Sequence, residues 1–463
     1  MNFHRIGFRV WLVYLLIDFG QLHRIIPGMS HLMLGALATV VLFVMVLLEA
    51  PRALNAPGGG WFRPVVAWRI LFLCAIATGL LLAVTQGRAL LVLKTEAPRF
   101  VAAFVGALLF IRRVDDLRVL HTAFLGLAFA LSGWVLAHHG HGPGLYVDEN
   151  DAALVLVMLL PFPFLGIFAD GGGTTRRLAS VLVFTLTLTA IGITLSRGGM
   201  VGAMPALLFC WVKSRHKAVS LALGGAALAL AVVFAPANFK KEFASIGDTH
   251  ESTAEARRYY WDLSTQMFPK RPIFGAGAGC WGNALYSGLF TLPDRRAHMT
   301  PHSIYFQCWT ELGLFGMFCW IGFLAATFRE LRSIRKSRMR AGAAMALGSD
   351  PDPRILGRLK GDMDFLGSFG PCVAIAIIGY LVCGAFLSVL YYPGLALFAA
   401  LAQATAAVWR RELLLATLQA APAAEPAPVH SVIPMHVPRS RATGSRADWN
   451  RLSGAALPGG TAA

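Results

Sequence analysis

Apolar residues arrive in long blocks separated by short polar breaks, and this alternation dominates the chain. A helix needs roughly 17–25 mostly apolar residues to cross a bilayer core. Blocks of about that size fall at 8–22, 31–49, 66–84, 89–111, 118–137, 151–169, 178–195, 199–212, 217–235, 303–327, 368–390 and 393–409. They predict an all-α polytopic membrane protein with about twelve transmembrane helices. The first block is short and carries Asp18, and the fourth is interrupted by Lys94, Glu96, Pro98 and Arg99. Charges at that depth are tolerated where they face protein or a watery cavity. The interruption therefore reads either as a re-entrant break or as two shorter helical pieces.

One long polar segment, 236–302, separates the ninth block from the tenth. The expected organisation is a nine-span bundle over 1–235, a large external loop over 236–302, and further spans over 303–410 that enclose a basic loop at 329–366. A disordered tail follows over 411–463, where the chain turns Ala/Pro-rich. Most of the 41 Lys and Arg fall in the alternate short segments that share a side with the N-terminus. By the positive-inside rule, both termini are cytoplasmic and the long loop is outside. The first apolar block has no small-residue cleavage site, so no removable signal peptide is expected.

A hydrophobic share of 56 %, a charged share of 14 % and a mean hydropathy of +0.60 exclude a soluble enzyme. The net charge of +17 would suggest nucleic acid in a soluble protein. Here it sits largely in short loops, as a topology signal does, and no nucleic-acid partner is expected. Seven cysteines show no metal-ligand spacing and mostly fall in apolar runs, so neither a structural disulfide nor a metal site is expected from them.

The outer face holds the residues that could carry chemistry. Adjacent basic pairs at Arg257/Arg258 and Arg295/Arg296 offer forked donors suited to phosphate oxygens. Lys240/Lys241 and Lys270/Arg271 read instead as partners for neighbouring acids. Arg257 and Arg258 open an amphipathic helix with Tyr259, Tyr260, Trp261 and Leu263, a composition usual for a segment lying in the membrane interface. Ser196-Arg197-Gly198-Gly199 puts a lone Arg at the outer end of a span, either to snorkel to headgroups or to meet a partner brought close by the glycines. His302 begins the tenth span and shares a side with Tyr305, Phe306 and Trp309. It alone among them titrates near neutrality, so it can take a proton from a hydroxyl or serve as a structural hydrogen-bonder. Glu311 lies deeper and on another side. Asp148-Glu149-Asn150-Asp151 reads as a helix N-cap in preference to a divalent-ion site. The His138-His139-x-His141 cluster is a weak metal signal, and the glycine-rich stretch 275–279 follows no strand and opens no helix, which excludes a nucleotide fingerprint.

These motifs together resemble the O-antigen ligase and O-antigen polymerase superfamily of bacterial inner-membrane glycosyltransferases. The resemblance rests on Asn150-Asp151-x-Ala153, Ser196-Arg-Gly-Gly199, Arg257-x-x-x-Trp261 leading to Pro272-x-x-Gly275-x-Gly277-x-Gly279, and His302-Ser-x-Tyr305 running to Glu311-x-Gly313-x-x-Gly316. Ser303 stands where many relatives have Asn. The resemblance implies transfer of a glycan from an undecaprenyl-pyrophosphate carrier to a hydroxyl of a glycan, lipid A core or protein acceptor. The reaction would take place on the periplasmic side, with inversion, without a cofactor or metal. Arg197 and Arg257 would bind the pyrophosphate and His302 would assist the acceptor, with Arg258, Tyr305, Arg295, Arg296 and Asp151 as further substrate contacts. A repeat-unit polymerase is the close alternative, and a transporter or flippase of an anionic lipid-linked substrate the more distant one.

Overall fold

The computed structural model describes residues 3–29, 32–54, 63–168, 173–214, 216–234, 252–286, 300–347 and 353–420. Lys240, Lys241, Arg295, Arg296 and residues 421–463 lie outside the described residues. Every regular element among the described residues is helical. Seven of these helices are long and apolar enough to cross a membrane: Leu34–Arg52, Pro64–Leu81, Val114–Ala137, Glu149–Phe168, Thr174–Ile193, Ile304–Ile334 and Gly357–Gly384. The remaining apolar blocks also fold as helices, including Phe3–Asp18, Arg197–Lys213, Lys217–Phe234 and Pro393–Ala420.

The segment Glu149–Phe168 is apolar all round and 89 % buried, which makes it the centre of the bundle, whereas Leu34–Arg52 at 22 % lies on the edge. Val114–Ala137, Thr174–Ile193, Arg197–Lys213 and Pro353–Gly384 pack around the centre. Phe124, Phe162 and Phe398 interlock there with ring centroids 4.6 to 6.0 Å apart. Leu47, Leu208 and Phe318 are exposed on outer helices, as expected where lipid is the solvent.

The interruption at 94–99 is neither a re-entrant break nor a gap between two pieces. Helix Gln86–Arg99 continues into a π-helical turn, Phe100–Val105, and then Gly106–Phe110. Pro98 lacks an N–H and its ring crowds the preceding turn, so the ladder widens just beyond it. Glu96 and Arg99 are paired inside the protein, whereas Lys94 is exposed. Arg69 Nη2 donates to Glu96 Oε2 at 2.5 Å, and Arg99 Nε lies 3.5 Å from Asp18. The basic segment 329–366 differs from expectation as well: helices Ile304–Leu347 and Pro353–Gly384 leave only 348–352 between them. Leu331 and Ile334 stay buried at helical spacing and Glu330 accepts from Arg410 Nη1 at 2.7 Å, so packing carries the helix past its last apolar run. Residues 411–420 likewise continue helix Pro393–Ala420.

The helix that follows His302 is broken at Gly313, whose φ of 65° and ψ of −164° are not helical. An uninterrupted helix would pair Leu314 N–H with Thr310 and Phe315 N–H with Glu311. Those two carbonyls instead accept from Ala276 and Gly277, both at 2.9 Å. The two freed N–H groups donate to Pro272 and Ile273 at 2.8 and 3.1 Å. The glycine-rich stretch is thus a splint laid into a broken membrane helix, and every displaced backbone group finds a new partner. A Cβ on Gly275 or Gly313 would collide with the backbone of the other segment, at Glu311 or Ile273.

Candidate active site

Two helix N-termini form one side of the site. Asp148 caps Glu149–Leu159 by accepting Asn150 N–H at 2.8 Å, as the acidic run predicts. Ser196 caps Arg197–Lys213 by accepting Gly199 N–H at 3.0 Å, and its hydroxyl donates to Asn150 Oδ1 at 2.7 Å. That bond ties the two caps together. Arg197 is the first residue of its helix, so its side chain leaves the chain where partial positive charge already gathers.

Helix Ser252–Met267 forms a second side. Its Tyr260, Leu263 and Met267 bury against Ala276, Trp281, Ala284 and Ala89, while Trp261 stacks on Phe306 at 5.4 Å. The helix is therefore docked on protein, in addition to having the composition of an interfacial segment. Arg257 is half-buried, with its guanidinium 5.9 Å from the centre of the Phe386 ring. The same Phe386 side chain lies 3.4–3.8 Å from where a Cβ on Gly198 would sit, an ordinary contact distance, so Arg257 and the Arg197 turn flank one ring. Arg257 Nε is buried without a hydrogen-bond partner. Burial pushes the Arg257 pKa below its ordinary value, the Arg197 charge pushes it the same way, and Asp148 acts in the opposite direction.

His302 forms the third side in a left-handed backbone conformation, φ 47°, which a non-glycine residue rarely adopts. Its N–H donates to Ser388 Oγ at 2.8 Å, and the Pro301 carbonyl accepts from Trp261 Nε1 at 3.0 Å. The imidazole lies 6.3 Å from the Tyr260 ring. Burial lowers its pKa below the ordinary 6.5 and the charge of Arg257 adds to this, with Asp148 opposing, so the ring is neutral near pH 7.

Arg197 thus lies near enough for its charge to act on Arg257, and Arg257 near enough to act on His302, with Asp148 as the acid whose charge reaches both Arg257 and His302. Other candidates are engaged elsewhere. The Tyr305 hydroxyl donates to the Leu381 carbonyl at 3.0 Å and its ring rests edge-on against Trp320, while Asp151 accepts from the Tyr392 hydroxyl at 2.7 Å. Arg258 is exposed, and Arg271 donates to the Leu82 carbonyl instead of to an acid. Glu311 Oε2 accepts from Gly279 N–H at 2.7 Å and from the Tyr391 hydroxyl at 2.8 Å, which locks the splint in place. His138 stacks on Trp134 and His141 bonds the Val147 carbonyl; among the described residues no three metal-type ligands gather.

Phe386 and Ser388 carry no sequence signal, because they sit in an aromatic and apolar turn without a recognisable motif. Two guanidinium groups at a helix N-terminus suit an anion with several oxygens, and the neutral imidazole beside them can accept a proton. No curated protein matches the chain. The family model described as O-Antigen ligase matches residues 182–321, the stretch that contains Arg197, Arg257, the glycine-rich splint and His302. That match supports the resemblance to the O-antigen ligase superfamily over this stretch of the chain.

Proposed function

We propose that this protein is a ligase-type glycosyltransferase that moves a glycan from undecaprenyl pyrophosphate to an acceptor hydroxyl on the periplasmic face of the bacterial inner membrane. The observation that carries the reading is that Arg257 and the helix N-terminus bearing Arg197 flank one ring, Phe386, with the charge of Arg257 reaching His302. So read, the chain crosses the membrane about twelve times with both termini cytoplasmic, as the positive-inside rule favours, and the cluster would lie outside, where a flipped lipid-linked donor would present its pyrophosphate.

In this reading the anomeric C–O bond to the pyrophosphate breaks and its electron pair passes to the phosphate oxygen. Charge grows on that oxygen in the transition state, where the two guanidinium groups stabilise it. The acceptor oxygen bonds to the anomeric carbon from the opposite face and loses its proton to the His302 imidazole, which inverts the configuration. The arginines supply the positive charge, so transfer should continue with EDTA present. Loss of either arginine or of the imidazole should lower the rate roughly 10²-fold.

The test uses the full chain in lipid, an undecaprenyl-pyrophosphate oligosaccharide, a lipid A core acceptor and EDTA. Transfer by wild type that falls about 10²-fold in Arg197→Ala and His302→Ala at equal abundance supports the reading. Ladders of lipid-linked repeats would assign the same chemistry to a polymerase. Normal transfer by both variants, or movement of the lipid across the bilayer without transfer, would refute it.

A further inference from the structure

The turn 385–392, between helices Pro353–Gly384 and Pro393–Ala420, lies outside every motif and outside the family match, yet it touches each part of the site. Phe386 packs under Arg257 and against Gly198. Ser388 accepts the His302 N–H at 2.8 Å. Leu390 N–H donates to Gln307 Oε1 at 3.2 Å, Tyr391 donates to Glu311 at 2.8 Å, and Tyr392 donates to Asp151 at 2.7 Å. The turn is itself held from below, where the Tyr380 hydroxyl donates to the Val389 carbonyl.

His302 is where this matters most. A left-handed non-glycine residue persists only when its surroundings over-determine it. Two bonds, one at each end of the Pro301–His302 peptide group, hold it here. Trp261 holds the Pro301 carbonyl from the Arg257 helix, and Ser388 holds the His302 N–H from the 385–392 turn. Without the Ser388 hydroxyl the N–H loses its acceptor, and the backbone can relax toward an ordinary conformation that swings the imidazole away from Arg257.

We propose that the 385–392 turn is a positioning element of the active site, and that Ser388 keeps His302 in its left-handed conformation so that the imidazole faces the acceptor beside Arg257. The role in transfer rests on the glycosyltransferase reading, whereas the hold on the His302 backbone does not. Ser388 acts through His302, so its loss should reduce kcat and leave the KM for the lipid-pyrophosphate donor unchanged.

The experiment compares wild type, Ser388→Ala, Ser388→Thr and His302→Ala in lipid, by transfer kinetics and by hydrogen–deuterium exchange over residues 300–308. Ser388→Ala should lose roughly 10- to 100-fold in kcat at constant donor KM. It should also speed amide exchange at His302, and Ser388→Thr, which keeps a hydroxyl acceptor, should restore both. Wild-type kcat in Ser388→Ala, unchanged exchange, or no rescue by Ser388→Thr would each overturn the proposal. Normal transfer by His302→Ala would overturn the transfer reading and with it any role of Ser388 in the reaction, while faster exchange in Ser388→Ala would still establish the backbone hold.

Discussion

Replacing Glu311 with Ala tests the splinted helix most directly. The carboxylate accepts from Gly279 N–H at 2.7 Å and from the Tyr391 hydroxyl at 2.8 Å, and its other oxygen lies 3.4 Å from Trp281 N. Glu311 is 2 % exposed, so water cannot readily replace it. Each buried donor left without an acceptor costs about 1–3 kcal/mol, and the two close ones together roughly 2–6 kcal/mol. That is a large share of the roughly 5–15 kcal/mol that holds a typical domain folded. Tyr391→Phe removes one donor and its bond together and should cost only about 0.5–1.5 kcal/mol. In the Glu311→Ala background the same change should cost less still, because it deletes a donor that already lacks an acceptor. Thermal unfolding in detergent, followed by tryptophan fluorescence, measures all four combinations, and Trp281 reports from the splint itself. A Glu311→Ala protein within about 0.5 kcal/mol of wild type would refute the splint, since surface changes of that size are ordinary. Equal cost for Tyr391→Phe in both backgrounds would refute the bond between the two residues.

Two further outcomes follow from the same geometry. His302 is held below its ordinary 6.5 by burial and by Arg257, so the acid limb of transfer should lie at lower pH than an ordinary histidine would give, with the rate falling as the imidazole takes a proton. Asp148→Asn keeps the helix cap but removes the charge that favours imidazolium, so a pH–rate profile should show the acid limb moved lower; an upward move would contradict the assignment. In the bundle, Glu96→Ala should destabilise by about 3–5 kcal/mol because it strands the buried charge of Arg69. Arg69→Met with Glu96→Leu should recover most of that in thermal unfolding, and a double variant no more stable than Glu96→Ala would show that the ion pair is not what the two positions share.

The apolar blocks determined the helices, because a periodic run of residues and a bilayer's width are both local facts. The Asp148 cap was legible for the same reason: a cap bonds the turn that follows it. The residues brought together as the site, Arg197, Arg257 and His302, were legible by motif and by side of the membrane. Their arrangement was not, since it depends on Phe386 and Ser388 from a turn with no chemical signature. Likewise the stretch 94–99 looked like a break until Arg69 and Asp18, on other helices, paired with Glu96 and Arg99. The basic segment 329–366 looked like a loop until tertiary packing kept Leu331 and Ile334 buried. The glycine-rich stretch and the Gly313 break, each unremarkable alone, complete one another by exchanging backbone hydrogen bonds. Neighbours in sequence determine where a helix can form, but where its displaced N–H and C=O groups find partners depends on which distant segment the fold lays beside them.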